Sequence, residues 1–265
     1  MNILHAIILG VIEGVTEFLP ISSTAHLEII SRVIKLAQSD FIKSFEISIQ
    51  LGAILAVVIL YSKLLLGRRR VWKPIIVAFI PTAIIGFLLY KIIKGYLLGN
   101  NWLIVTTLLL GGIILIGFER WSKKTEGQPA SSISPNDEIV NMKLSTAVWI
   151  GLAQSLAVIP GVSRSAATII AGRLFGISRV SIVEFSFLLA IPTMTAATGY
   201  DLFKNAGSFN GGQFEFLIVG FVTAFISAFF TVRFLLNYMK NHSFAAFGIY
   251  RIAVAIAFAL FLLMS

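Results

Sequence analysis

Long apolar stretches separated by short polar segments form the main pattern of the chain. A helix that crosses a bilayer needs about 20 predominantly apolar residues. Six stretches meet this requirement, and they lie at about 45–66, 74–94, 102–118, 180–203, 214–236 and 244–264. The pattern therefore predicts an all-α integral membrane protein, a multi-pass chain whose partner is the lipid bilayer.

Two further apolar regions, at about 3–34 and 145–176, are each interrupted near the middle by proline and polar residues. The interruptions read Pro20-Ile21-Ser22-Ser23-Thr24 and Pro160-Gly161-Val162-Ser163-Arg164-Ser165. Proline ends the helix before it, and a serine or threonine after it suits the N-cap of a new helix. Irregular backbone at membrane depth is tolerated only where protein or a watery cavity surrounds it. We therefore predict two re-entrant helical hairpins, with one kinked spanning helix in each region as the alternative.

Composition strengthens the membrane assignment and removes several functional classes. Of the 265 residues, 57% are hydrophobic and 12% are charged, whereas soluble domains carry about 25% charged residues. The chain has no cysteine, which excludes disulfides, thiolate nucleophiles and cysteine-based metal sites. In so apolar a chain, the net charge of +9 favours basic cytoplasmic loops over a nucleic-acid partner.

Basic residues are concentrated in alternate loops. The loops around 63–73, 119–143 and 233–242 hold 11 lysines and arginines, whereas the loops around 91–101 and 204–213 hold 3. The positive-inside rule therefore places the first set in the cytoplasm. Arg32, Lys35 and Lys43 fall outside under this scheme, against the rule. The first hairpin then enters from the outer face and the second from the cytoplasm.

The two halves of the chain resemble each other with a period of about 140 residues. Three pairs of segments carry the repeat: Gly10–Glu13 with Gly151–Gln154, Phe45–Ile49 with Val183–Phe187, and the stretch from Ile75 with the stretch from Leu217. Each half holds one hairpin and three spans, an odd number, so the halves must point in opposite directions. We predict two inverted repeats, 1–120 and 144–265, joined by a polar cytoplasmic linker at 121–143. Broken helices in such repeats usually meet near the midplane and form a site.

The first hairpin carries two carboxylates, a serine and a histidine. Glu13 and Glu17 lie at i, i+4 on one helix face, where like charges repel each other and burial in a membrane is costly. Such a pair binds a cation, accepts from a catalytic residue or shares a proton. Ser23 and His26 lie at i, i+3 on the next helix, an arrangement typical of an activated nucleophile. The alternatives are a carboxylate pair at the water interface, a serine N-cap and a polar interface histidine.

The second hairpin carries an arginine at a predicted helix N-terminus. The guanidinium of Arg164 suits phosphate, and the free N–H groups of a helix start also favour an anion. If the hairpins meet, Arg164 faces the carboxylates, serine and histidine of the first, and the site suits a phosphate ester in a lipid. A divalent cation bridging Glu13 or Glu17 and phosphate fits this site. The residues alone leave phosphatase, transferase and transporter open.

Other polar residues of the apolar regions are weaker candidates. Glu46, Gln50 and Glu184 lie in or beside spans, where they support the site or form hydrogen bonds between helices. Arg173, nine residues beyond Arg164, is expected to reach the membrane interface.

The chain resembles the undecaprenyl pyrophosphate phosphatase family, also known as the bacitracin-resistance proteins, over essentially its whole length. The most specific motifs are EGVTEFLPISSTAH at 13–26 and PGVSRS at 160–165. The family usually has glycine at the positions of Ala25 and Ala166. Both are exchanges of one small residue for another, and they bear on backbone packing rather than on the chemistry.

The resemblance implies an inner-membrane hydrolase that converts undecaprenyl diphosphate to undecaprenyl phosphate, with a site open to the periplasm. It further implies Mg²⁺ or Ca²⁺, a homodimer, and roles in peptidoglycan synthesis and bacitracin resistance. The resemblance implies that the catalytic residues are Ser23, His26, Glu13, Glu17 and Arg164. It implies substrate binding by Ser22, Thr24, Ser163, Arg164 and Ser165. The implied metal ligands are Glu13 and Glu17. We expect Ser23 to attack phosphorus, with His26 as the alternative nucleophile, and a flippase of a polyprenyl phosphate lipid is the alternative function.

Overall fold

The structure is a computed structural model that describes residues 1–36, 39–97, 99–125, 134–205 and 213–264. All regular structure within these ranges is helical. The α-helices are α1 (Ile3–Thr16), α2 (Ser23–Val33), α3 (Asp40–Leu60), α4 (Ser62–Gly67), α5 (Trp72–Ile92), α6 (Asn101–Thr125), α7 (Pro135–Val140), α8 (Leu144–Gln154), α9 (Arg164–Leu174), α10 (Arg179–Asn205), α11 (Phe214–Met239) and α12 (Ala245–Met264). Short 3₁₀ turns at Arg69–Val71 and Ser155–Val158 and a π-helical turn at Ile93–Leu97 connect some of them.

Among the described residues, six helices are long and apolar enough to cross a membrane, which confirms the six predicted spans. They are α3, α5, α6, α10, α11 and α12. The first begins earlier than the predicted 45–66, because Ser39 caps α3 by accepting from the Ile42 N–H at 3.2 Å. It also ends earlier, at Leu60, and Lys63 lies beyond it in α4.

The two interrupted regions each form a pair of shorter helices. The chain leaves α1 after Thr16 and begins α2 at Ser23, and it leaves the α8 segment after Val158 and begins α9 at Arg164. The helices of each pair contact each other. These breaks lie at the predicted proline and serine clusters.

The halves of the chain exchange packing partners. Helix α1 packs against α11 of the second half, and α8 packs against α5 of the first half. Glycines allow the close approach, because a Cβ at Gly10 would lie 2.6 Å from the Gly220 carbonyl oxygen and one at Gly151 would lie 2.0 Å from the Ala78 oxygen. Small residues at such contacts are what lets membrane helices pack tightly. Helices α1 and α8 correspond to each other in the sequence repeat, and so do α11 and α5.

The basic segments meet at one end of the molecule. Arg68 forms an ion pair with Asp137 of α7, and Arg179 at the start of α10 forms one with Glu119 of α6 at 2.7 Å. Hydrogen bonds from Ser134 and Arg68 hold the pKa of the exposed Asp137 carboxyl below its usual range. Arg179 also donates from Nη1 to the His242 carbonyl oxygen at 3.5 Å. The described parts of the three segments predicted to share a side, around 63–73, 119–143 and 233–242, therefore lie together. The part of the predicted linker at 126–133 lies outside the described residues.

The opposite end carries the described parts of the loops around 91–101 and 204–213; residues 98 and 206–212 lie outside the described residues. The Asp201 carboxylate, near the end of α10, accepts from the Ser44 hydroxyl at 3.0 Å and from the Tyr90 hydroxyl at 3.2 Å. Lys204 lies over the Tyr90 ring, 4.4 Å from its centroid. These contacts join α3, α5 and α10 at this end, which we call the aromatic end. The other end, with Arg68 and Arg179, is called the basic end.

Candidate active site

The end of α1 places Glu13 and Glu17 on one face. The Glu17 N–H donates to the Glu13 carbonyl oxygen at 2.9 Å, so the helical path continues to Glu17 and the i, i+4 relation holds. Both side chains are buried, Glu13 completely. The apolar turn that follows anchors this helix end, since the Phe18 ring packs edge-on against Phe187 of α10 at 5.2 Å between centroids.

The turn between α1 and α2 is strained at Ser22. Its φ is +73° and its ψ is 96°, a conformation that is costly for any residue with a Cβ. Such strain persists only where the surroundings hold it, and it clusters at functional sites. Here the Ser22 carbonyl oxygen accepts from His26 Nδ1 at 2.7 Å. The turn thereby presents Ser23 at the start of α2.

The Ser23 hydroxyl donates to a carboxylate oxygen of Glu17. Both residues are buried, with 6% and 8% of their surfaces exposed. A hydroxyl held by a carboxylate in a dry site has an acceptor ready for its proton. Glu17, rather than a histidine, is thus the side chain that accepts from the Ser23 hydroxyl.

The second turn places Arg164 at the start of α9. Ser163 caps this helix, accepting from the Ala166 N–H at 3.2 Å. Gly161 precedes it with φ +87°, and a Cβ there would lie 1.9 Å from Thr107 Oγ1 of α6. Only glycine suits this position, because both the backbone conformation and the space exclude a side chain.

The two hairpins meet through Arg164 and Glu17. Arg164 Nη2 lies 3.1 Å and Nε 3.4 Å from Glu17 Oε1, with the pair almost completely buried. A third guanidinium nitrogen, Nη1, donates to the Ser186 carbonyl oxygen of α10 at 2.8 Å. Glu17 therefore joins the serine of one hairpin to the arginine of the other. This contact brings the two interrupted regions together, which is the condition that the predicted site required.

Two cavities adjoin this cluster. A small polar one of about 160 Å³ is lined by Glu17, Ser22, Ser23, Thr24, Gln50, Ala157, Val162, Ser163, Arg164 and Met194. A larger, mostly apolar one of about 550 Å³ shares Thr24, Gln50, Ala157 and Arg164 with it and extends to Tyr90, Tyr200 and Asp201 at the aromatic end. The arrangement suits a ligand with a polar head at Arg164 and an apolar remainder.

His26 has contacts that differ from the expected ones. Its Nδ1 donates to the Ser22 carbonyl oxygen, so in the neutral ring Nε2 accepts from the Tyr250 hydroxyl of α12, at 2.9 Å. The His26 and Tyr250 rings are parallel, 5.6 Å between centroids. His26 does not line the small cavity. The i, i+3 spacing predicts that His26 faces Ser23, but its two ring nitrogens bond Ser22 and Tyr250 instead.

The carboxyl group of Glu13 is fully buried in the site and lacks hydrogen-bond partners in the described part of the chain. Among the described residues, no hydrogen-bond donor reaches either of its carboxylate oxygens, and both are buried. A second carboxylate, Glu17, lies one helical turn away. Mg²⁺ and Ca²⁺ prefer oxygen ligands, and Mg²⁺ is commonly held by one or two carboxylates together with substrate phosphates. The donor set at Glu13 and Glu17 fits such a cation, although the described residues contain no group of three or more metal-binding side chains.

The other predicted residues divide into those that line the cavities and those that do not. Ser22, Thr24, Ser163 and Gln50 line the small cavity, and Glu46 lines the large one. Ser165 is fully buried behind them, 3.3 Å from Ser163 Oγ. Glu184 lines neither cavity, and Arg173 lies at the basic end, where it bonds the Ile177 carbonyl oxygen at 2.8 Å.

Sequence reasoning missed Tyr250 and Arg251 in α12. Arg251 is 1% exposed and donates to carbonyl oxygens in both hairpin turns. The available signal was its position, since an arginine inside the apolar stretch 244–264 is rare unless it has a role.

The fold and site define a class: helical membrane proteins with a buried site of serine, carboxylate and arginine beside an apolar cavity. A family model described as bacitracin resistance protein BacA matches residues 6–257. The chain belongs to this family. Among its relatives, proteins named undecaprenyl-diphosphatase are 52% identical in Aquifex aeolicus, 48% in Persephonella marina and 43% in Thermus thermophilus. Each alignment covers 98% or 99% of this chain and at least 97% of the relative.

Proposed function

We propose that this chain is an undecaprenyl-diphosphatase, which hydrolyses undecaprenyl diphosphate to undecaprenyl phosphate and inorganic phosphate. This activity recycles the carrier lipid for peptidoglycan synthesis and confers bacitracin resistance. The observation that carries the proposal is the Ser23 hydroxyl bonded to Glu17, opposite Arg164. A lipid transporter needs an anion-binding arginine but no nucleophile with an adjacent base, so this pair favours the enzyme over the flippase.

Substrate binding follows from the two cavities. The diphosphate occupies the small cavity, where Arg164, Ser163, Ser22 and Thr24 offer donors, while the prenyl chain extends through the large apolar cavity towards the bilayer. Arg164 contacts Glu17, and phosphate competes with Glu17 for the guanidinium. Binding therefore frees Glu17 to act on Ser23.

Hydrolysis then takes two steps. Ser23 Oγ forms a bond to the terminal phosphorus, the bond from that phosphorus to the bridging oxygen breaks, and undecaprenyl phosphate leaves with the electron pair. The Ser23 proton passes to Glu17, and Arg164 stabilises the charge on the transferring phosphoryl group. Water next attacks the phosphoserine, the bond from phosphorus to Ser23 Oγ breaks, and inorganic phosphate leaves with both protons of the water. The proton on Glu17 then returns to Ser23 Oγ.

A divalent cation, Mg²⁺ or Ca²⁺, completes the proposed site. Glu13 and Glu17 would hold it. When bound, it neutralises negative charge on the diphosphate. Support comes from the Glu13 carboxylate, which is buried without a donor among the described residues. His26 is proposed as a supporting residue that holds the Ser22 turn rather than as the nucleophile.

We also propose that the halves are inverted repeats with re-entrant hairpins. The exchanged packing of α1 on α11 and α8 on α5 supports a two-fold relation between the halves. The large cavity extends to the aromatic end, opposite the basic end that the positive-inside rule assigns to the cytoplasm. The site would then open to the periplasmic side of the inner membrane. The homodimer stays a prediction from the family.

Purified protein in detergent with undecaprenyl diphosphate tests the function. We expect phosphate release by the wild-type chain, loss on addition of chelator, and a loss of about 10³-fold or more in Arg164→Ala, because an arginine on the transferring phosphoryl is worth that much elsewhere. Arg233→Ala, an exposed arginine of α11, is the matched control and should keep full activity. Absence of phosphate release by the wild-type protein, with lipid transport in vesicles, would favour the flippase.

A further inference from the structure

Arg251 is a buried arginine whose described hydrogen bonds all go to main-chain carbonyl oxygens. Nη2 donates to Gly161 at 2.9 Å and to Thr107 at 3.0 Å, Nη1 to Pro20 at 3.3 Å, and Nε to Leu108 at 3.4 Å. None of these four acceptors is a carboxylate. A charge buried without a counter-ion is costly, so it requires a gain elsewhere.

Two of the four acceptors, Pro20 and Gly161, lie where the backbone of the hairpins is irregular, and the other two lie in α6. Irregular backbone at membrane depth requires hydrogen-bond partners from the protein. One guanidinium thus bonds the turn that precedes Ser23 and the turn that precedes Arg164. The planar fork of an arginine can reach several acceptors at fixed angles, which a lysine cannot do.

Helix α6 is shaped around the same side chain. A Cβ at Gly111 would lie 2.0 Å from Arg251 Nη2, so only glycine leaves room for the guanidinium. Thr107, one turn earlier, donates its hydroxyl to the Pro160 carbonyl oxygen at 2.8 Å. The second turn is therefore held by α6 and α12 together, while in the first turn Arg251 bonds Pro20 and His26 bonds Ser22.

From this geometry we infer that Arg251 is a positioning residue, which fixes the two hairpin turns relative to each other and so aligns Ser23 and Glu17 with Arg164. It lines neither cavity and acts through the turns. The catalytic consequence rests on the proposed function, whereas the distance between the hairpins does not. A displacement of the turns by about 1 Å is enough to reduce the rate about 100-fold.

The test separates positioning from mere stability. Cysteines at Val33 in α2 and Leu174 in α9, both exposed, carry spin labels in a chain that has no other cysteine. We expect a narrow distance distribution in the wild type and a broadened or shifted one in Arg251→Met, with kcat for phosphate release about 100-fold lower and KM changed much less. Arg251→Lys should fall between the two, and Arg233→Met, the control for loss of an arginine, should match the wild type.

An unchanged distance distribution in Arg251→Met and Arg251→Lys would overturn the inference, whatever the activity. If the melting temperature also falls while kcat in the folded fraction stays unchanged, Arg251 only stabilises the fold. If Arg251→Met does not fold, Thr107→Val replaces it, because it removes the bond to Pro160 at nearly constant volume and should broaden the same distribution. A wild type without phosphatase activity leaves the distance test intact.

Discussion

Glu13 and the residue at the matching position of the second half differ in their hydrogen bonds. Gln154 stands in the second half where Glu13 stands in the first, and its amide is bonded to Thr82 at 2.9 Å and Thr193 at 3.2 Å. The amide has its hydrogen bonds satisfied, whereas the Glu13 carboxyl group has no donor among the described residues. This asymmetry between repeat partners supports the proposed cation-binding role of Glu13.

Glu17 is the proposed base, and its replacement should affect the rate more than the fold. In Glu17→Gln, the amide keeps an oxygen for Arg164 but cannot take the Ser23 proton. We expect kcat for phosphate release to fall by about 10²–10⁴-fold, the usual contribution of a positioned base. Glu215→Gln, an exposed carboxylate in α11, is the matched control. Near-normal turnover in Glu17→Gln would remove Glu17 from the proton-transfer step.

Two substitutions at His26 distinguish support of the Ser22 turn from direct attack on phosphorus. Asparagine can place an amide nitrogen close to the Nδ1 position, so His26→Asn should keep the donor to the Ser22 carbonyl and remain within about tenfold of the wild-type kcat, since one hydrogen bond contributes about 1 kcal/mol. His26→Ala loses the donor and should be slower than His26→Asn. If both variants are inactive, with unchanged melting temperature, His26 takes part in the reaction directly.

At the scale of elements, the close contact of α8 with α5 makes a prediction about stability. Gly151→Ala places a Cβ 2.0 Å from the Ala78 carbonyl oxygen, and rigid backbone cannot move away cheaply. We expect a loss of about 1–3 kcal/mol, typical of overpacking, measured as a lower melting temperature. Gly117→Ala in α6 meets no atom within 4 Å and should be neutral or stabilising. Equal melting temperatures for the two variants would contradict the described contact.

The hairpin elements can be distinguished from kinked spans by labelling. A re-entrant hairpin returns to its own side, so cysteines at Asn2 and Lys35 should both react with a membrane-impermeant maleimide from outside the cell. Cysteines at Lys143 and Phe175 should react only after permeabilisation. If the two cysteines of a pair react from opposite sides of the membrane, the segment between them crosses the membrane once.

Sequence reasoning succeeded where the signal is local. The helix breaks before Ser23 and Arg164 follow from the prolines, and Ser163 caps α9 as predicted, but Ser22 makes no side-chain cap hydrogen bond at the start of α2. Burial of Glu17 with Arg164 follows from the cost of isolated charges in an apolar chain. It failed for contacts between distant segments. Neither the bond from His26 to Tyr250 nor the position of Arg251 between the turns is encoded in spacing, because α12 is more than 200 residues away from the first hairpin.

For the whole molecule, the proposed orientation rests on two independent features. The described basic loops gather at one end, and the large cavity extends to the other. In a chain that contains no cysteine, single cysteines at Arg69 and Tyr96 report the two ends separately. We expect Tyr96→Cys to react from outside and Arg69→Cys only after permeabilisation. The reverse result would place the site opening in the cytoplasm.

The central claim is that Ser23, held by Glu17 opposite Arg164, attacks the terminal phosphorus. The most direct measurement is kcat for phosphate release from undecaprenyl diphosphate by Ser23→Ala, beside Ser62→Ala as a control hydroxyl at the basic end. The account predicts a loss of at least about 10³-fold in Ser23→Ala, as for other lost nucleophiles, with wild-type kcat in Ser62→Ala. Turnover of Ser23→Ala within tenfold of the wild type would contradict it.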